Sequence, residues 1–208
     1  MSATGTNVFT IGHSIHSPDR FLALLRQHGV NAVADVRSSP YSRFNPQFSR
    51  ESLEQMLATH EIRYVFLGRE LGARSDDRSC YIQGRVQYAR LARTSLFKSG
   101  IDRVLKGAER FTVALMCAEK EPLECHRTLL VAKALTEQGQ PVTHIHGDGR
   151  LETHEAALER LLKLTRVPND DLFRSKSELL AEALARQEQQ IAYVDETEAA
   201  LTLREGSQ

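Results

Sequence analysis

The sequence predicts an α/β fold, a single three-layer domain with a mostly parallel sheet over residues 1–150, followed by a C-terminal helical extension over 151–208. Three observations carry this expectation. Short β-rich runs alternate with amphipathic helical stretches, the pattern of β-α-β units. The run Phe-Thr-Val-Ala-Leu-Met at 111–116 is almost wholly apolar without alternation, which suits a central strand covered on both faces. Clusters of polar residues follow the strand-like runs, where ligands collect in open parallel sheets.

Taken in order, residues 8–11 form a β-rich run that stops at Gly12, His13 and Ser14. Ser17, Pro18 and Asp19 then open a helix whose inner stripe is Phe21, Leu22, Leu24 and Leu25, with proline in the first turn where it is tolerated. His28 and Gly29 close it, and residues 30–36 return as a second strand ending in Asp35, Val36 and Arg37. Residues 38–50 form a loop rich in aromatics and arginine. A helix at 51–60 and a strand at 63–67 follow, then a polar exposed stretch at 73–80. Residues 83–97 read as a helix with Val86, Leu91 and Leu96 inward, and 101–107 as a further helix. After the 111–116 strand, a loop containing Pro122 leads to a helix at 128–138 with Gly139 as its C-cap. The last strand is 141–145, with helices at 151–165 and 172–190 on either side of a hinge at Val167, Pro168, Asn169 and Asp170.

Composition excludes several classes. Apolar residues make up 41% and charged residues 26%, an ordinary soluble balance. No run approaches the roughly 18 apolar residues that span a bilayer, so no membrane partner is expected. Residues 1–7 are polar and lack a basic stretch followed by an apolar one, which makes the cytoplasm the expected location. The three cysteines, Cys80, Cys117 and Cys125, are an odd number and point to free thiols or ligands rather than a disulfide framework. The zero net charge hides an asymmetry: residues 37–110 carry 14 Lys/Arg against 8 Asp/Glu, and residues 151–208 carry 7 against 12.

The chemistry-bearing residues gather at four strand ends. His13 and Ser14 follow the first; Asp35 and Arg37, with Arg43 on the loop beyond, follow the second; Arg69 and Glu70 follow the third. Cys117 and Glu119 follow the buried run, and Cys125, His126 and Arg127 open the next helix, whose unpaired N–H groups favour an anion and lower the pKa of a nearby thiol. From their types, Glu119, Asp35, Cys125 and His13 are the candidate catalytic groups. Ser14, Arg37, Arg43, Arg69, Cys117, His126 and Arg127 are the candidate ligand-binding groups. Asp35, Glu119 and Arg127 are expected to surround one hollow. No compact C-x2-C or H-x3-H spacing is present, so no metal ligand and no cofactor is expected, with a divalent metal left as the minor alternative. Tyr41, Phe44 and Phe48 either stack on bases or staple the long loop to the core.

These same residues carry a family resemblance. Thr10 through Ser14 (TIGHS), Asp35 through Arg37 (DVR), Pro40 with Ser42, Arg43 and Phe44, Tyr64 with Leu67 and Gly68, Glu70 through Gly72, Cys117 through Glu119 (CAE), and Pro122 with Cys125, His126 and Arg127 (CHR) resemble the domain of unknown function 488 family, over residues 7–149. Ala73 stands where the family pattern often has a second glycine. The resemblance implies one small α/β domain and a shared polar site.

The function expected from the residues is that of an enzyme on a phosphate-bearing nucleotide or nucleic-acid substrate, using carboxylate acid/base chemistry to cleave an N-glycosidic or phosphoester bond. The alternatives are a non-catalytic module that binds nucleic acid or protein, and a cysteine-based transferase or redox sensor.

Overall fold

A computed structural model of the chain describes residues 8–197. In chain order the elements are β1 (Val8–Gly12), α1 (Pro18–Gln27), β2 (Ala32–Asp35), α2 (Arg50–Ala58), β3 (Arg63–Phe66), α3 (Gly68–Leu71), β4 (Tyr81–Ile82), β5 (Arg85–Val86), α4 (Tyr88–Leu91) and α5 (Ser95–Ala108). Then come β6 (Val113–Cys117), a π-helical turn at Arg127–Ala132 that runs into α6 (Lys133–Glu137), β7 (Val142–Ile145), β8 (Leu151–Thr153), α7 (His154–Leu164) and α8 (Lys176–Ile191). Residues 1–7 and the end of the acidic tail lie outside the described residues.

The main sheet has six strands in the order β3-β2-β6-β1-β7-β8, all parallel except β8, which pairs antiparallel with β7. The apolar run therefore sits as expected between two strands, with β6 bonded to β1 on one side and β2 on the other. Alternate residues of these strands enter two separate cores. Val8, Ala32, Ala34, Val113 and Leu115 pack with α5, the 127–137 helix, α7 and α8. Phe9, Ile11, Val33, Ala114 and Met116 pack with α1, α2 and Phe48. Helices on both faces of a mostly parallel sheet make the predicted three-layer α/β architecture.

The helix after β1 packs on one face and the helix after β6 on the other, although β1 and β6 are neighbours. Chain connections leaving adjacent strands toward opposite faces open a crevice at the strand carboxyl ends, the place where such sheets bind ligands.

Several local expectations are corrected. Residues 83–97 are not one helix: Gln83 and Gly84 both take positive φ (50° and 74°) and make the tight turn of a β4-β5 hairpin. Thr94 then caps α5 by accepting from the Phe97 amide, which carries the helix through 101–107 and leaves Leu96 exposed rather than inward. The helix expected from residue 151 starts at His154, because Leu151–Thr153 joins the sheet edge and Thr153 caps α7. The segment beyond 150 is thus also a strand and a core contributor: Ala157, Leu161, Leu162, Leu179 and Ala183 lie in the same core as α5. Its last helix begins later than expected, at Lys176, behind a Ser175–Glu178 capping box. Among the described residues, no helix is long and apolar enough to cross a membrane.

Candidate functional site

At the carboxyl ends of β1, β2 and β6 lies a cleft of about 460 Å³, lined by Cys117, Glu119, Cys125, His126, His13 and Arg37 among others. Each arrives by a backbone route set in the sequence. The end of β1 runs against the loop after β6, with the His13 amide donating to the Cys117 carbonyl (2.9 Å) and the Ser14 amide to that of Ala118 (2.9 Å). Only glycine fits at position 12, since a Cβ there would stand 1.9 Å from the Glu119 carbonyl oxygen. Arg127 pins the same carbonyl, Nη1 donating to it at 2.8 Å. The Glu119 backbone is thus clamped between a strand end and a helix start.

The cluster of Cys117, Glu119, Cys125 and His126 is tight. Cys125 Sγ lies 2.9 Å from Glu119 Oε2, as donor while it is a thiol. His126 Nδ1 is 3.8 Å from both Cys117 Sγ and Cys125 Sγ, and Nε2 donates to the Val36 carbonyl at 3.0 Å, which orients the ring. The Arg127 amide donates to Cys125 Sγ at 3.5 Å. Burial alone would push the Cys125 thiol up, but a hydrogen bond from Cys117 and the positive charges of Arg127 and His126 outweigh it and hold Cys125 well below the ordinary range. Burial, with the neighbouring Cys125, keeps Cys117 a thiol. Burial and the Cys125 charge likewise raise the Glu119 carboxyl, which favours its holding a proton. All three cysteines are free and buried. The sulfurs of Cys117 and Cys125 and a nitrogen of His126 lie within 4.8 Å of one another, a group able to hold a metal ion.

Asp35 and Arg37 form a different kind of unit. Asp35 is fully buried and accepts from the Arg37 amide (3.1 Å) and Nε (2.9 Å) through Oδ1, and from Arg37 Nη2 (2.6 Å) and the Tyr64 hydroxyl (2.9 Å) through Oδ2. Arg37 also donates to the Phe48 carbonyl (2.9 Å) and, through Nη1, to His13 Nε2 (3.2 Å). His13 completes the arrangement as a neutral ring: Nδ1 donates to the Ser14 carbonyl, the ring stacks on Phe48 at 4.5 Å, and burial lowers its pKa to about 4.

The expected meeting of Asp35, Glu119 and Arg127 around one hollow is therefore corrected. Only Glu119 lines the cleft. Asp35 has its lone pairs committed to Arg37 and Tyr64, which leaves it no capacity for acid/base work. Arg127 is fully buried behind the cluster, its guanidinium turned to the Glu119 and Lys120 carbonyls, so it touches no ligand there. Arg37 reaches the wall with four of its five side-chain N–H donors engaged, on Asp35, Phe48 and His13. Ser14 sits at positive φ (47°) in the turn and does not line the cleft. Arg43 lies over the exposed Phe44 ring, away from the cleft, and Arg69 lines a neighbouring hollow. Phe48 is buried and staples the loop, while Tyr41 and Phe44 are exposed.

Part of the wall comes from residues with no local signal in the sequence. Ser38, Ser39 and Arg74 line the cleft, and Tyr193 closes it from beyond α8, its ring beneath the Arg74 guanidinium at 4.5 Å. Arg74 sits in a polar stretch and Tyr193 in a weakly patterned tail, so neither carried a local signal. His144 and His146 face inward as a structural pair of contacts: His144 bonds Thr10 and His154, and His146 bonds Glu152.

No curated protein and no solved structure matches the chain. The family model described as Domain of unknown function DUF488 matches residues 17–134, more than half of the 208, and spans Asp35, Arg37, Cys117, Glu119, Cys125 and Arg127; the chain belongs to that family.

Proposed function

We propose that the protein is a cysteine-dependent enzyme that transfers or hydrolyses a group on a small anionic, phosphate-bearing substrate, with Cys125 as nucleophile and Glu119 as its proton-transfer partner. The observation that carries this reading is the 2.9 Å contact between Cys125 Sγ and Glu119 Oε2 on the wall of an open cleft. A nucleophile within hydrogen-bond reach of a base, in a site held by fixed neighbours, is the geometry of covalent catalysis. A second feature supports it. The buried Arg127 guanidinium bonds only backbone carbonyls and, among the described residues, meets no carboxylate. A buried cation needs a compensating anion, and the Cys125 thiolate beside it supplies one.

In the first step Cys125 sulfur bonds to the electrophilic centre as the bond to the leaving group breaks. Cys125 attacks as the thiolate, and Glu119, protonated at rest, gives its proton to the leaving group. Glu119, now a carboxylate, takes a proton from the water that attacks the thio-linked intermediate, which releases the product and returns Cys125 as the thiolate, so atoms and charge balance. Arg74 and the hydroxyls of Ser38 and Ser39 are the groups on the wall suited to the substrate anion; Ser38 Oγ accepts from the Arg74 amide at 3.0 Å and keeps its own proton to donate. The volume of about 460 Å³ suits a mononucleotide or sugar phosphate rather than a duplex. The pairing of Asp35 with Glu119 as two working carboxylates is not retained, since Asp35 does not reach the cleft.

A thermal-shift screen of inorganic phosphate, nucleoside monophosphates and sugar phosphates tests the reading. The expected result is a ligand-induced rise that Arg74→Ala abolishes, and turnover of a matching ester that Cys125→Ser abolishes while ligand still binds. Turnover surviving in Cys125→Ser overturns the nucleophile. Steep loss of oligonucleotide affinity with salt, without turnover, marks a binding module instead.

A further inference from the structure

We infer that Cys117, Cys125 and His126 form a preorganised site for a soft divalent cation such as zinc, and that its occupancy masks the Cys125 nucleophile. The site stands on geometry alone; the masking rests on the reading of Cys125 given above.

The distances leave little for a metal to rearrange. Zn–S bonds of about 2.3 Å and Zn–N bonds of about 2.0–2.1 Å at a tetrahedral centre set a sulfur-to-nitrogen edge of roughly 3.6 Å. His126 Nδ1 is 3.8 Å from each sulfur, and all three donor atoms lie within 4.8 Å of one another. The ring is already turned for ligation: Nε2 donates to the Val36 carbonyl at 3.0 Å, so Nδ1 faces the sulfurs and offers its lone pair to a metal held between them once its proton leaves. Fixing one imidazole nitrogen on a backbone carbonyl is how metal-bound histidines are oriented. Two thiolates and an imidazole select zinc and similar soft cations over magnesium or calcium.

The scaffold is rigid where it matters. Cys117 ends the central strand β6, while Cys125 and His126 precede the helical turn that packs on that strand. The proximity is tertiary, which is why no compact ligand spacing announces it. The fourth direction opens on the cleft beside Glu119, whose Oε2 is 2.9 Å from Cys125 Sγ; that carboxylate or a water completes the coordination. Binding releases the remaining thiol protons to solvent and commits the Cys125 sulfur lone pair to the metal, so an electrophile in the cleft meets no free nucleophile.

The test uses the full chain, first stripped with a chelator and then titrated with Co²⁺. The expected result is one equivalent of thiolate-to-cobalt charge-transfer absorption, displaced by Zn²⁺ and absent in Cys117→Ser and His126→Ala. Because Cys117→Ser alters a buried strand residue, a second readout uses the unaltered chain: iodoacetamide labelling of Cys125 with and without equimolar Zn²⁺, with Mg²⁺ as control. Protection by Zn²⁺ but not Mg²⁺ supports the inference. No cobalt band together with unprotected, rapid labelling overturns the metal site and leaves the nucleophile standing. A cobalt band on a chain whose metal-free Cys125 labels slowly keeps the site but overturns the masking and the nucleophile with it.

Discussion

Replacing Asp35 with asparagine separates a structural carboxylate from a catalytic one. The side chain is fully buried, and its two oxygens accept four hydrogen bonds, three of them from Arg37, which is itself only 5% exposed. Asparagine keeps the shape but removes the charge and turns an amide donor toward donors. Breaking a buried pair by removing one partner costs about 3–5 kcal/mol, because the remaining charge is left without compensation. Against a total stability of about 5–15 kcal/mol, that is a large fraction. For a chain of this size each kcal/mol lowers Tm by about 2–4 °C, so a fall of roughly 10 °C is expected. Urea and thermal unfolding give the measurement. The double substitution Asp35→Leu with Arg37→Met, which removes both charges, should recover much of the loss. A normal Tm for Asp35→Asn combined with loss of turnover would instead place Asp35 in the chemistry.

Three further outcomes rest on particular contacts. Gly12→Ala drives a Cβ to within 1.9 Å of the Glu119 carbonyl oxygen, so it should displace the loop after β6 and separate Glu119 from Cys125; unchanged Tm and Cys125 labelling would contradict the clamp. Burial lowers the His154 pKa from 6.5 to about 4, so the unfolded chain takes up a proton in that window that the folded chain refuses. This contribution is fully present above pH 6.5 and is lost as pH falls toward 4; a shift of that size corresponds to about 3 kcal/mol, read as a falling urea midpoint that His154→Gln should make less steep, buried His13 contributing over the same window. Ser175→Ala removes a capping box and should cost about 1 kcal/mol, seen as faster amide exchange confined to the first turns of α8.

The fold was legible where residues had a period or a punctuation mark of their own. The apolar run at 111–116 announced a central strand, and Ser17 with Pro18 announced α1, whose side-chain cap and proline are both in place. Local pattern failed where a short turn interrupted it. Gln83 and Gly84 turn a hairpin inside what looked like helical spacing, and Leu151–Thr153 is too short a strand to alternate visibly. The linear segment from Cys117 to Arg127 disclosed the reactive cluster because its members are close in sequence as well as in space. What the sequence could not disclose was direction. Arg127 has the residue type of an anion ligand, yet the path of the Glu119 and Lys120 carbonyls turns its guanidinium inward. Asp35 and Arg37 lie two residues apart and satisfy each other before either can serve the cleft. Tyr193 and Arg74 reach the wall through tertiary packing of the final segment, which leaves no periodic trace.

The rate at which iodoacetamide alkylates each cysteine of the chelator-treated, folded chain at neutral pH, followed by peptide mass spectrometry, tests whether Cys125 is a thiolate nucleophile. Cys125 should react faster than an unstructured cysteine peptide and leave Cys80 and Cys117 untouched, and Arg127→Met should slow it in any fraction that remains folded. Alkylation of Cys125 no faster than that of Cys80 would contradict a thiolate nucleophile at Cys125.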